Sequence, residues 1–268
     1  MTKDSQHQKR IPVIPASSKR NITMILFVVV ALYIAAAIQT DAYPDRIIEG
    51  LPHAISFFID DMWPPNWGYF ESVLFGLLES WNIALLATTL SAIFCLPIAF
   101  IAAGNINKNF FFYHATRLAL NVLRTIPDLV WAVLFVAIVG LGALSGMIAL
   151  FFFSLGILVK FVSETIESID EGPLDAVRAT GGNIFQVIWY GAIPQILPQY
   201  VSYTLYLLEI NVRASIVLGF VGAGGIGLLL NQQLAVFNFG NVSMIIFVTF
   251  IGVTIIDTIS TVFRKRLV

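Results

Sequence analysis

The chain carries very little charge and almost no sulfur or imidazole chemistry. Asp, Glu, Lys and Arg make up 12% of its 268 residues, whereas 58% are hydrophobic. Soluble domains are about a quarter charged, so this shortage excludes an ordinary solvated surface. One cysteine, Cys95, lies inside an apolar run. No intramolecular disulfide and no cysteine-based metal centre can form, and a small buried apolar side chain is its simplest role. His7, His53 and His114 are scattered without ligand spacing, and no metal site is expected. No G-x-x-x-x-G-K-[ST] sequence occurs, which excludes a Walker A site for ATP in this chain. H-E-x-x-H and G-x-S-x-G are missing too, and no nucleophile–base set is visible. The chain is read as a non-enzyme that draws its energy from a partner or a gradient. A gradient-driven carrier usually shows paired repeats, and none is found here.

What the chain has is long apolar runs and a mean hydropathy of +0.85. A bilayer core of about 30 Å needs about 20 apolar residues per helix. Six segments qualify: 22–39, 81–103, 118–139, 147–163, 197–218 and 241–262. The fold class is therefore all-α, a polytopic membrane protein with about six transmembrane helices. The first run is longer than a signal-peptide core of about 7–15 residues and is read as a retained helix. Lys3, Lys9, Arg10, Lys19 and Arg20 precede it; Lys108 and Arg117 follow the second span; Arg178 follows the fourth, with Lys160 at its edge; Arg264, Lys265 and Arg266 close the chain. The opposite side holds only Arg46. Lys and Arg favour the cytoplasmic side, so both termini are placed there. The expected organisation is a cytoplasmic tail (1–21), a first helix (22–39), an external segment with an amphipathic helix (40–80), a five-helix core (81–262) and a basic cytoplasmic end (263–268). Trp63 and Trp67 flank Pro64 and Pro65 in the external segment, where aromatics commonly anchor at the interface. The amphipathic helix is expected over Tyr69 to Glu79, running into the second span.

The fifth span carries charge. Ser202, Tyr206, Glu209 and Arg213 are spaced 4, 3 and 4 apart and share one helical stripe. Thr204, Asn211 and Ser215 fall on the other side. A helix polar on two faces is unsuited to lipid, so this segment is read as the central pore helix. Charge at membrane depth marks a pathway or a pair. Either Arg213 guides an anion while Glu209 tempers it, or the two form a static i,i+4 ion pair. Arg124 and Asp128, also i,i+4, start the third span and are read as a gate or, preferably, a packing pair.

Gly222, Gly224, Gly225 and Gly227 match G-x-G-x-x-G, but a dinucleotide site also needs a βαβ unit and an acid about 20 residues on. The next acid is Asp257. The stretch is read instead as a flexible external loop that allows close backbone approach, or as a tight connection between two helices.

A polar stretch, 164–196, separates the fourth and fifth spans. Asp170, Glu171, Gly172 and Pro173 break the chain. Leu174 to Thr180 can then form a short helix that Gly181 and Gly182 end, and Asn183 can cap a second over Ile184 to Tyr190. Asp175-Ala176-Val177 is followed after three residues by Gly181 and later by Ile193-Pro194. This spacing resembles the EAA loop of bacterial ABC importer permeases, EAA-x3-G-x9-I-x-L-P, with Asp175 for Glu, Val177 for the second Ala and Gly191 for Ile. Residues 155–227 look like the phosphonate and phosphite branch of that family. The resemblance rests on Glu171-Gly172-Pro173, Arg178 to Gly181, Tyr190-Gly191 with Pro194-Gln195, Ser202 to Tyr206, Glu209 to Ser215 and Val221 to Gly227.

The resemblance implies a type I importer permease in a bacterial inner membrane. It implies a second copy of the chain, two ATPase subunits that bind Mg-ATP, and an external substrate-binding protein. No cofactor in this chain and no nucleic acid are expected. The cargo would be a phosphonate, or else phosphite, phosphate or another small oxyanion. Glu171, Gly172, Pro173, Asp175, Ala176, Arg178, Gly181, Ile193 and Pro194 would couple to the ATPases. Ser202, Tyr206, Glu209, Asn211 and Arg213 would line the path, and the four glycines 222, 224, 225 and 227 would belong to the external gate.

Overall fold

A computed structural model of the chain describes residues 16–41 and 44–267. Most of the basic tail read over residues 1–21 lies outside them, as does Val268. Every regular element among the described residues is helical. Five helices are long and apolar enough to cross a membrane, or six when one bent pair counts as a single span.

The chain divides into two units at Asp60 and Asp61. The first holds α1 (Ala16–Gln39), apolar all round, and α2 (Pro44–Ser56). In α2, Ile48, Leu51 and Ile55 share one face by their 3-and-4 spacing, away from Asp45 and Glu49. The sequence reading missed this helix because Pro44 and Pro52 punctuate the stretch.

The second unit is built on α3 (Phe70–Ala102), 33 residues long and therefore about 50 Å at 1.5 Å per residue. The expected amphipathic helix and second span are one element. Its buried face is mostly small: Gly76, Ser80, Ala84, Ala87, Thr88, Ser91 and Ala99. Small residues let helix backbones approach where lipid provides no hydrophobic drive, and α6 (Ala143–Ser168) makes the most extensive packing against this face. Behind them, α9 (Ile193–Gly219) packs on both, and α11 (Phe239–Leu267) on α9 and α3.

The third span drawn from sequence is not one helix. It is α4 (Phe110–Thr125) and α5 (Asp128–Val139), bent by 90°. Pro127 has no amide to donate and pushes the residue before it out of the helical region; Ile126 has φ −86° and ψ 118°. Arg124 and Asp128 consequently sit on different helices and make no ion pair. Asp128 Oδ1 accepts the Leu129 amide at 2.8 Å, while the Arg124 stem lies over Gly156 of α6.

Candidate functional site

The polar stretch between α6 and α9 folds as a bracket. Asp170 caps α7 (Glu171–Ala179) by accepting the Gly172 amide at 3.0 Å. That start is three residues earlier than Leu174, because Pro173 sits within the first turn, where its missing amide costs nothing. Gly181, at φ +82°, turns the chain, a backbone state that glycine adopts without steric cost. Asn183 then forms a capping box with Gln186: Asn183 Oδ1 accepts the Gln186 amide at 3.0 Å, and Gln186 Oε1 the Asn183 amide at 2.8 Å. The short helix α8 (Ile184–Gln186) does not end as a separate piece. It passes through a π-turn, Val187–Ala192, directly into α9, making one continuous helical run of 36 residues, Ile184–Gly219.

Two contacts bind α7 to the base of that run. Leu174 is fully buried among Ile166, Val187, Ala192 and Ile196. A Cβ on Gly191 would lie 3.2 Å from the Leu174 Cα, so glycine at the position where the EAA pattern has Ile gives α7 its close seat. The side chain of Gln195, which sequence reasoning left out of the site, holds the Asp170 backbone from both sides. Its Oε1 accepts the Asp170 amide at 3.1 Å and its Nε2 donates to the Asp170 carbonyl at 3.2 Å. Arg178 pairs with Asp175 at 2.8 Å along the exposed side of α7. Glu171, Gly172, Pro173, Asp175, Ala176, Arg178 and Gly181 are thus brought together on one element and its turn, and Ile193-Pro194 stands where the run becomes α9.

The end of α6 is tied to the α3–α4 connection by Arg117, also absent from the predicted set. Its guanidinium pairs with Glu167 at 2.7 Å and donates to the Ala102 carbonyl at 3.1 Å, while Glu167 also accepts the Gly104 amide at 2.8 Å.

On α9 the charges form a network wider than an i,i+4 pair. Glu209 accepts from Arg213 on its own helix and, at 2.7 Å, from Arg264 of α11. Arg213 also reaches Asp257 of α11 at 3.5 Å. Arg264 covers the Tyr206 ring at 5.5 Å from its centre. Glu209 is 11% exposed and Arg213 48%, so Arg213 presents the open side of the network. Two acids and two arginines balance to zero charge. One carboxylate atom, Asp257 Oδ1, is buried without a partner among the described residues, and Asp257 lines a cavity of about 400 Å³ together with Thr249 and Thr254. Arg264 was read only as a sidedness charge. The signal for its larger role is its spacing of two helical turns from Asp257. Ser202 lies half-buried on the same stripe.

Asn211 is placed elsewhere. It is fully buried and donates to Thr88 of α3 at 2.8 Å and to Ser154 of α6 at 2.7 Å. It fastens α9 to the core instead of facing the side where Arg213 opens.

The glycine loop is packed, not flexible. Residues 222–227 are all buried. Gly222, Gly224 and Gly225 have φ of +87°, +81° and +72°. A Cβ on Gly224 would meet the Ala143 amide nitrogen at 2.7 Å, and one on Gly219 the Gly227 Cα at 2.6 Å. The amides of Gly222, Ala223 and Ile226 are already bonded, the last to Ser80 Oγ at 2.9 Å. Gly225 opens α10 (Gly225–Ala235), a helix that the sequence reading did not separate from the loop. With helices on both sides, the G-x-G-x-x-G match has no dinucleotide context.

The family model described as binding-protein-dependent transport system inner membrane component matches residues 95–268. A phosphite transport system permease protein, PtxC, of Stutzerimonas stutzeri is 37% identical over 82% of this chain and 80% of its own. A protein of Escherichia coli (strain K12) named as a cryptic phosphonate transport system permease, PhnE2, is 40% identical over 46% of this chain and all of its own. Among solved structures, a chain of the MetNI methionine ABC transporter in an inward-facing conformation shares the fold. Its TM-score is 0.66 at 22% identity, over 76% of this chain and 99% of that one.

Proposed function

Because the chain belongs to the family of binding-protein-dependent transport system inner membrane components, we propose that it carries a small phosphorus oxyanion inward, a phosphonate before phosphite or phosphate. It is a multi-pass permease subunit of an ABC importer. The observation that carries the mechanism is the unbroken run from Ile184 to Gly219. A partner ATPase that grips α7 acts on a short helix seated by Leu174 and pinned by Gln195 to the foot of that run. Movement there reaches Glu209 and Arg213 along one continuous helical run, through Pro194 and Pro198.

In this reading two copies of the chain enclose the path and two ATPase subunits, which bind Mg-ATP, hold the 171–194 segments. A loaded binding protein docks on the outer end, near residues 219–240, and both termini face the cytoplasm. ATP closure rocks the helices outward-open, and hydrolysis resets them. Arg213 supplies the exposed positive charge met by the anion, and the neutral balance of its network keeps that contact weak enough for release. The names of PtxC and PhnE2 support the phosphorus class.

The test is uptake and ATP hydrolysis in proteoliposomes of the assembled transporter, with binding protein loaded in turn with 2-aminoethylphosphonate, methylphosphonate, phosphite and phosphate. ATP-dependent uptake selective for the phosphonates is expected. Uptake of phosphite or phosphate alone overturns the substrate and keeps the architecture; uptake without an ATPase overturns the mechanism.

A further inference from the structure

Between the end of α3 and the start of the Ile184–Gly219 run lies an open groove of about 670 Å³. Pro97 and Phe100 of α3, Ile106 of the α3–α4 connection and Phe112 of α4 form part of its wall, and Phe185 and Ile188 complete it. Only two polar residues, Asn107 and Lys108, line it. The Asn107 side chain is spent locally, donating to the Ile101 carbonyl at 2.7 Å and accepting the Asn109 amide at 3.0 Å. Lys108 is exposed and has no ion pair among the described residues. Nearby Arg117, Lys160 and Arg178 are each matched to a carboxylate, and Arg124, which is not, lies in the last turn of α4, at the end away from Lys108.

We propose that this groove binds an anionic phospholipid, its acyl chain against Phe100, Phe112 and Phe185 and its headgroup phosphate on Lys108. The apolar wall is continuous with a membrane-spanning helix, so hydrocarbon reaches it without entering water. A lone ammonium beside an apolar trough at the cytoplasmic end of the spans has the charge complement of an anionic lipid. Its long stem lies along the apolar wall while the charge stays at the polar boundary. The exposed polar face of α7, not this trough, is the surface suited to a water-soluble partner. A lipid seated here touches α3 and the foot of the pore helix together, so it steadies the joint between them.

The chain is reconstituted in phosphatidylcholine vesicles doped with a phosphatidylglycerol bearing a photoactivatable acyl chain, and labelled peptides are identified by mass spectrometry. Labelling is expected to concentrate within 97–112 and 184–188, several-fold above that from the same probe with a choline headgroup. Lys108→Gln should remove that preference and Lys108→Arg restore it. Phe185→Asp, at a residue 78% exposed, should abolish groove labelling without unfolding the chain. Equal labelling by the two headgroups, or labelling spread evenly along α3 and α11, overturns the proposal. So does loss of labelling when ATPase subunits are added, or a disulfide between copies of Phe185→Cys, since either puts a protein in the groove. None of these readouts requires transport, so the outcome is independent of the proposed cargo.

Discussion

Glu209 of α9 and Arg264 of α11 are joined at 2.7 Å, although 55 residues separate them in the chain. The contact gives Glu209 a second arginine besides Arg213 and crosses the interface between two spans. Removing one partner of a buried pair leaves the other charge uncompensated, at a typical cost of about 3–5 kcal/mol. Glu209→Gln and Arg264→Gln are therefore each expected to lower the thermal midpoint of the detergent-solubilised chain. The double variant Glu209→Gln with Arg264→Gln should recover much of the loss. Additive losses in that cycle would show that the two side chains do not interact.

Two glycines separate conformational need from spatial need. Gly181 has φ +82° and nothing within 4 Å of an added Cβ. Gly181→Ala costs only the left-handed backbone, about 1–2 kcal/mol, and the protein should still reach the membrane folded. An added Cβ on Gly227 collides with the Ile216 carbonyl inside the α9–α10 crossing, and backbone cannot step aside. Gly227→Ala should lose most folded protein, read as monodisperse yield after extraction. Equal yields from the two variants would contradict the packed description of the glycine segment.

These cases mark where sequence reading succeeds and where it stops. Hydropathy located the spans because each needs many consecutive apolar residues, a property that lies along the chain. Punctuation by Asp170, Gly181 and Asn183 located the bracket between α6 and α9 because caps and turns are local chemistry. The 90° turn at Ile126 and Pro127 escaped, since an averaged apolar window reads through a single proline. Gln195 and Arg264 escaped because their partners, Asp170 and Glu209, are distant in sequence. The glycine stretch was left between a flexible loop and a tight connection between two helices because composition does not reveal what packs against it.

Asn211 tests whether every polar residue on α9 belongs to the proposed path. Its hydrogen bonds go to Thr88 and Ser154 inside the core. Asn211→Ala should cost about 1–3 kcal/mol for the polar groups left behind, visible as a lower melting temperature. The relative uptake of phosphonate and phosphite should be unchanged. A shift in that preference would place Asn211 on the substrate side.

The bracket around α7 predicts uncoupling without unfolding. Asp175 and Arg178 are exposed, and exposed pairs contribute about 0–1 kcal/mol, so replacing both with Ala should leave the melting curve nearly unmoved. Gln195→Ala should release Asp170 and loosen α7 from the foot of α9. In proteoliposomes with the ATPase subunits, both variants are expected to hydrolyse ATP while uptake per ATP falls severalfold. Normal uptake would remove the 171–194 segment from the coupling path.

Arg213 and Asp257 decide between a static ion pair and an anion contact. The network is neutral with both present, and Asp257 holds Arg213 only at 3.5 Å while its second oxygen lacks a partner. Asp257→Asn gives the network one net positive charge while Glu209 still holds Arg213, so an anion contact at Arg213 should become tighter and slower to release. The expected result is a lower apparent KM for oxyanion uptake together with a lower kcat. Arg213→Ala should act in the opposite sense on KM, raising it. A static pair predicts something different: both substitutions would depress melting temperature and the amount of active protein, and KM would stay where it was in each. The split between KM and kcat, measured at matched amounts of folded transporter, therefore separates the two readings.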